Sequence, residues 1–280
     1  MIGSRGGAKT VRVTRYRDGA ATRKRDALAV EEPMEIRLSW MVNGTRRAEP
    51  LAVTMRTPGN DFELAAGFLH GEGVVSTASD LVELTYCTGP EEQEYNVVEA
   101  RLAAGRDFDP ESVKRNFYAT SSCGVCGKAS LDAVGAQGCA VLPMDTVIEP
   151  DLVIELPDRL RADQGVFSRT GGLHAAGLFE PTGTSSIVFE DVGRHNAVDK
   201  VIGRALLDRT LPASDRVLVV SGRASFEVVQ KSIAAGIPVL IAVGAPSSLA
   251  VDLAVRFRQT LIGFARDGGF NIYSVPERVV

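Results

Sequence analysis

From Ala29 to about Thr57 the pattern of apolar and polar residues reads as extended chain. Ile36, Leu38, Trp40 and Val42 recur at every second position. Asn43-Gly44 then supplies a two-residue hairpin turn, and Leu51, Val53 and Met55 carry the alternation back. This period predicts two paired strands with one buried face. Pro58-Gly59-Asn60-Asp61 interrupts it and caps a predicted helix carrying Phe62, Leu64, Ala65, Ala66, Phe68 and Leu69, which Gly71 ends. Val97 to Leu102 reads as a further strand, so the pattern is α+β to about Asp107.

The second half has a different rhythm. A short apolar run at Ser186 to Phe189 leads into the polar loop 190–196, and Ala197 to Leu207 is amphipathic at helical spacing. The cycle repeats as strand 216–220, loop Ser221-Gly222-Arg223 and helix 225–235. It repeats again as strand 238–243, loop 244–248 and helix 249–258. Leu261 to Phe264 reads as the last core strand, followed by Ala265-Arg266-Asp267-Gly268-Gly269. Alternating strands and helices predict right-handed βαβ units and a mainly parallel sheet covered on both faces. Between the halves, Pro143, Pro150 and Pro157 punctuate what reads as a connecting stretch.

In open α/β sheets ligands bind outside the carboxyl ends of the strands. All four loops above follow strands, and three contain arginine: Arg194, Arg223 and Arg266. Backbone N–H groups at helix starts together with guanidinium groups suit phosphates. Any one loop could simply cap its helix; the four together point to a nucleotide-like or pyrophosphate-bearing ligand. Neither a Gly-x-Gly-x-x-Gly dinucleotide fingerprint nor a Walker A pattern is present.

Composition narrows the class. The chain has 280 residues, 45% hydrophobic and 24% charged, with a net charge of −4, which is ordinary for a globular protein and gives no reason to expect nucleic acid as partner. The longest apolar run, around Ile237 to Ala245, is far short of the ~20 residues a membrane span needs. No secretory signal is visible, so a cytoplasmic, reducing location is expected. The segment before about Asp26 is rich in Arg and Lys and reads as a solvated, flexible arm in which Val11, Val13 and Tyr16 alternate with polar residues.

Four cysteines are too few for a disulfide framework, but Cys123 and Cys126 form a Cys-x-x-Cys pair within Thr120-Ser121-Ser122-Cys123-Gly124-Val125-Cys126-Gly127-Lys128, a segment whose Gly and Ser content predicts a mobile loop. Three chemistries use such a pair. Zinc would need further ligands; His70-Gly71-Glu72 followed by Cys123-x-x-Cys126 resembles the order in zinc nucleobase deaminases, although Ser122 stands where those have Pro. Dithiol exchange of the thioredoxin type lacks its Trp and its strand-to-helix setting. Persulfide transfer fits exposure, mobility and a second thiol that can attack the first and expel sulfide. Cys87 and Cys139 read as small buried hydrophobes.

Taken together, the motifs resemble the formate dehydrogenase accessory protein family FdhD. They are Arg56-Thr57-Pro58-Gly59-Asn60-Asp61, the cysteine segment, Arg169-Thr170-Gly171-Gly172-Leu173-His174, Glu190-Asp191-Val192-Gly193-Arg194-His195-Asn196, Ser221-Gly222-Arg223-Ala224-Ser225, Ala245-Pro246-Ser247 and Gly263-Phe264-Ala265-Arg266. The resemblance implies a sulfurtransferase that takes persulfide sulfur from a cysteine desulfurase and passes it to the bis-molybdopterin guanine dinucleotide cofactor, bound as substrate, for formate dehydrogenase. It implies Cys123 as carrier and Cys126 as auxiliary thiol. It places cofactor contacts at Phe264, Ala265, Arg266, Asp267, Gly268 and Gly269, which join Arg194, His195, Ser221, Gly222 and Arg223 from the strand-end loops. Asp267 departs from what phosphates favour. No resident metal is implied. The implied fold is α/β, with a cytidine-deaminase-like three-layer C-terminal domain, a smaller α+β N-terminal domain, and a homodimer. The expected divisions are an arm at 1–26, the α+β domain at 27–115, the cysteine loop at 116–130 and the cofactor domain at 131–280. A zinc deaminase and a non-catalytic cofactor chaperone remain the alternatives.

Overall fold

A computed structural model describes residues 7–87, 96–104 and 139–280. Cys123, Cys126 and the whole cysteine loop lie outside the described residues.

Residues of the basic arm, read above as a flexible tail, form a hairpin. Strands β1 (Ala8–Arg17) and β2 (Ala20–Ala29) pair antiparallel from Ala8↔Ala29 to Arg17↔Ala20. Asp18 and Gly19 make the turn with φ of 51° and 78°, the mirror-image geometry that Asp-Gly favours in two-residue hairpins. The strands are mostly exposed, and their Lys and Arg side chains guard the free edges against further pairing. The base is anchored: Val30 donates to the Gly7 carbonyl at 3.0 Å, and Gly172 sits against Ala29.

The alternating segment forms the expected strand pair, but only the first strand buries its alternating face: Val53 and Met55 of the returning strand are 68% and 47% exposed, beyond a register shift at Ile36/Arg37. Strands β3 (Glu32–Val42) and β4 (Thr45–Arg56) form an antiparallel pair around Asn43-Gly44, both with positive φ. With β5 (Leu81–Tyr86) and β6 (Val97–Leu102) they make a four-stranded sheet in the order β4-β3-β6-β5. Met34, Ile36, Leu38 and Trp40 bury one face against Leu64, Ala65 and Leu69 of helix α1 (Asp61–Gly71).

The second half is a six-stranded mixed sheet. Its strands are β7 (His174–Phe179), β8 (Ser185–Asp191), β9 (Val217–Val220), β10 (Val239–Ala242), β11 (Thr260–Arg266) and β12 (Gly269–Ser274), in the order β12-β11-β10-β9-β7-β8. The expected mainly parallel sheet needs correction. Only the β9–β10 and β10–β11 pairs are parallel; β7 and β12 run against the rest. Strand β7 lies between β8 and β9, so the first crossover skips one strand. The supposed loop after the last strand is also a hairpin: β11 continues to Arg266, and Asp267-Gly268 turns the chain into β12 with φ of 54° and 76°. Asp267, an oddity for phosphate binding, thus has a conformational reason, since Asp tolerates the left-handed region.

Helices cover both faces. Helices α4 (Arg194–Leu207), α5 (Phe226–Ala234) and α6 (Ser248–Arg256) pack on Leu218, Val220, Leu240 and Ala242. Helix α2 (Pro150–Ala162) packs through Val153, Leu156 and Leu160 on Val217, Val219, Val239 and Ile241 of the other face. The proline-punctuated stretch is therefore α2 and not a connector. Pro150 occupies the first turn, where no N–H is needed, and buried Pro157 is accommodated within it. A short helix α3 (Gly165–Thr170) follows.

The two sheets are joined through α1 and α4. A Cβ on Gly67 would fall 1.8 Å from the Asp199 carbonyl oxygen, and one on Gly203 the same distance from that of Glu63. Only glycine permits the two backbones to approach so closely.

Candidate functional site

Strands β8, β9, β10 and β11 share one direction, so their carboxyl ends open on one sheet edge, where β7 begins and β12 starts. Backbone bonds tie these ends together. Ser221 N–H donates to Ala175 O at 3.0 Å, and its hydroxyl accepts from Ala175 N–H at 2.9 Å. Gly244 N–H donates to Gly222 O at 2.9 Å, and Phe264 N–H to Gly244 O at 3.1 Å. The loops expected from sequence to form a ligand site do converge.

A cleft of about 590 Å³ lies at this edge, within the size range of small-molecule sites. One wall comes from the strand ends: His174, Ser221, Val243 and Ala265-Arg266-Asp267-Gly268. The other comes from α2, α3 and the segment after them, including Asp158, Arg161, Gln164, Phe167 and Leu173. The cleft therefore takes in Ser221, Ala265, Arg266, Asp267 and Gly268 of the expected residues. It leaves out Arg194, His195, Gly222, Arg223, Phe264 and Gly269.

Those residues lie nearby in distinct settings. Gly222 faces the His174 ring and the Arg194 Cβ, 3.4 and 3.8 Å from where its own Cβ would stand. Arg223 is exposed. Phe264 has a φ of 53° at an irregularity between Gly263 and Arg266, is 37% exposed, and lies beneath the Arg266 guanidinium, 5.7 Å from its ring centroid. An aromatic residue held at positive φ is a strained conformation of the kind that clusters at ligand-binding sites. Arg266 also lies 3.7 Å from the Asp267 carboxylate.

Two histidines flank the edge, and both are held toward the neutral form. His195 Nε2 lies 2.9 Å from Ser225 Oγ and 3.8 Å from the Glu227 carboxylate. Burial, with the Arg194 cation, lowers its pKa to about 4. Burial and Arg194 lower that of His174 as well, against Asp191.

Buried polar contacts fix these loops from below. Asp191 is fully buried 2.7 Å from Lys200 Nζ, and it accepts from the N–H groups of Thr57 (3.1 Å) and Gly193 (2.9 Å) and from Asn196 Nδ2 (2.9 Å). Arg56 forks onto Asp61 with two bonds of 3.0 Å. Glu190 accepts from Val166 N–H and Phe167 N–H at 2.8 and 2.7 Å, setting α3 in place. Motifs far apart in sequence thus form one network behind the cleft.

The other cysteines and the His-x-Glu pattern have quieter settings. Cys87 and Cys139, expected as buried hydrophobes, are only partly buried; partial desolvation, then Glu99, raises the Cys87 thiol pKa, and partial desolvation raises that of Cys139. Both are held as thiols, which are poor nucleophiles. His70 is buried, lowered to about 4 by desolvation and the Lys231 cation. Lys231 itself pairs with buried Asp199 at 2.7 Å. An ammonium beside His70 disfavours a metal there, and no group of three candidate ligands occurs among the described residues.

Sequence reasoning missed His174, Asp158, Arg161, Gln164 and Phe167. His174 stood within a quoted motif without a role. The others sat in a stretch whose prolines hid a helix.

The FdhD/NarQ family model matches residues 29–280. Relatives named sulfur carrier protein FdhD include one from Streptomyces avermitilis, 54% identical over 274 residues (96% of this chain and 94% of the relative). Others are from Mycobacterium tuberculosis, 51% identical over 263 residues (91% and 92%), and Sulfurisphaera tokodaii, 44% identical over 273 residues (97% and 99%). Among solved structures, a putative formate dehydrogenase accessory protein from Desulfotalea psychrophila superposes with a TM-score of 0.75 at 24% identity, covering 98% of this chain and 99% of that one. That likeness supports the fold.

Proposed function

This chain belongs to the FdhD/NarQ family, and from that premise we propose that it is a sulfur carrier acting on a molybdenum cofactor. Cys123 accepts persulfide sulfur from a cysteine desulfurase: its thiolate attacks the terminal sulfur, forming a new S–S bond while the donor cysteine leaves as thiolate. Cys126 then attacks the inner sulfur of Cys123. The terminal sulfur departs as sulfide to the cofactor, the two thiols become a disulfide, and a dithiol reductant restores them. The acceptor is the bis-molybdopterin guanine dinucleotide substrate, destined for formate dehydrogenase.

The observation that carries this reading is the convergence of the strand-end loops, with Ser221 and Arg266, on one cleft at the sheet edge. Arg266, with Arg194 and Arg223 close by on neighbouring loops, supplies fixed charge for phosphates. Neutral His174 and His195 can donate or accept hydrogen bonds without adding charge. In this reading the α+β segment 27–115 backs the site, the loop 116–130 delivers sulfur, and 131–280 holds the cofactor on a deaminase-like three-layer scaffold that works as a homodimer in the cytoplasm. No described helix is long and apolar enough to cross a membrane.

The test is sulfuration of the cofactor by the purified chain with a desulfurase and cysteine. The reading expects transfer with wild type and none with Cys123→Ala; normal transfer by Cys123→Ala would overturn it.

A further inference from the structure

The basic β1–β2 hairpin has no part in the sulfur chemistry, and all but its last residue lies outside the segment the family model matches. Residues 8–29 hold seven Lys and Arg against two Asp, a net charge of +5, so the rest of the chain stands at −9. None of the seven cations makes an ion pair among the described residues. Arginines of the body do: Arg37, Arg101, Arg159 and Arg216 each lie 2.7–2.8 Å from a carboxylate.

Strand alternation sorts the hairpin side chains onto two faces. Arg12, Tyr16, Arg23 and Arg25 share one of them, and all four are exposed, Tyr16 by 79%. Arg12 stands directly opposite Arg25, where like charges repel. A carboxylate seated between them relieves that repulsion. Arg and Tyr are enriched at protein interfaces and Lys is depleted there, so this face suits an acidic protein surface.

The chain itself presents such a surface. Asp151, Glu155 and Asp158 recur at i, i+4 and i+7 on the exposed side of α2. Asp151 and Asp158 have no ion-pair partner among the described residues. About one helical turn, ~5.4 Å, separates successive carboxylates. Two strand residues, about 7 Å, separate Arg25 from Arg23, so the two rows of charge run at similar spacing.

We propose that the hairpin of one copy lies along the α2 carboxylates of a second copy, whose own hairpin does the same in return. The same two patches on both subunits make a closed two-fold contact. A ribbon about 34 Å long and about 10 Å wide, laid down twice, buries about 1,300 Å² in all, within the range of specific interfaces. The inference rests on the homodimer of the proposed function and gives it an interface; sulfur transfer does not depend on it. Because α2 is one wall of the cleft, the second copy braces that wall.

Sedimentation velocity on the full chain tests it. Wild type should be a dimer at about 50 mM salt and weaken at least about tenfold at about 500 mM, as screened charges do. An exposed ion pair is worth up to about fivefold in affinity. Reversing the hairpin (Arg12→Glu, Arg23→Glu and Arg25→Glu together) should therefore weaken the dimer at least about tenfold, and so should Asp151→Lys with Asp158→Lys. Mixing the two reversed chains should restore a dimer that neither forms alone. If a reversed chain does not fold, the salt dependence of wild type decides. A dimer that ignores salt or survives hairpin reversal, or reversed chains that do not pair on mixing, overturns the interface and leaves the homodimer standing. A wild-type chain that stays monomeric overturns both, and cofactor sulfuration by that chain shows that the carrier reading survives.

Discussion

Lys200 Nζ lies 2.7 Å from the Asp191 carboxylate, with both side chains almost completely buried. Because Asp191 also receives the Thr57 and Gly193 N–H groups, the pair holds the start of α4 against the end of β4. Removing one partner leaves an uncompensated buried charge. Asp191→Ala should therefore cost about 3–5 kcal/mol, read as a lower urea midpoint at unchanged slope. A loss below 1 kcal/mol would show that the pair is not a strut of the site.

Gly67 and Gly203 set the distance between α1 and α4. An added methyl at either position meets backbone, which cannot rotate away. Gly203→Ala should destabilise by about 1–3 kcal/mol or more, seen as a lower Tm, whereas Gly268→Ala, which meets nothing within 4 Å, loses less, through its positive φ alone.

Acid should weaken the fold through histidine. His70 and His195 have folded pKa values of about 4 against 6.5 for the free side chain. The unfolded chain therefore binds more protons between those values, and stability falls as pH drops from about 6.5 toward 4, by up to about 1.4 kcal/mol per pH unit for buried His70 and by less for His195, whose 36% exposed side chain is screened by solvent. Asp199, raised to about 6 by burial despite Lys231, works the opposite way below pH 6 and offsets part of the loss. Urea midpoints between pH 7 and 5 check this: His70→Gln should flatten the slope.

Arg266 is the arginine of the strand-end loops that lines the cleft, while Arg223 is exposed beside it. Arg266→Ala should weaken GDP binding about tenfold or more, as loss of a charge-assisted hydrogen bond does, and Arg223→Ala should weaken it less. Titration calorimetry ranks the two.

Much of this was readable beforehand where local chemistry decides. Asn43-Gly44 fixed the β3–β4 hairpin, and the strand-loop-helix cycles placed α4, α5 and α6. The same turn chemistry at Asp18-Gly19 and Asp267-Gly268 went unread, one masked by a basic run and the other by an expected loop. Pro157 made α2 look broken, although its missing N–H removes one bond and leaves the helix intact. Strand order was beyond local pattern, because β7 enters between β8 and β9 by long-range pairing. The cleft wall with Gln164 depends on that order, and a lone Gln carries no signal until its burial is seen.

The central claim is that Cys123 carries a single sulfur. Intact-mass measurement after incubation with a desulfurase and cysteine tests it most directly. The expected result is a gain of one sulfur atom, removed by reductant and absent from Cys123→Ala, with Cys87 and Cys139 unmodified. An unchanged mass in wild type, or the same gain in Cys123→Ala, would contradict it.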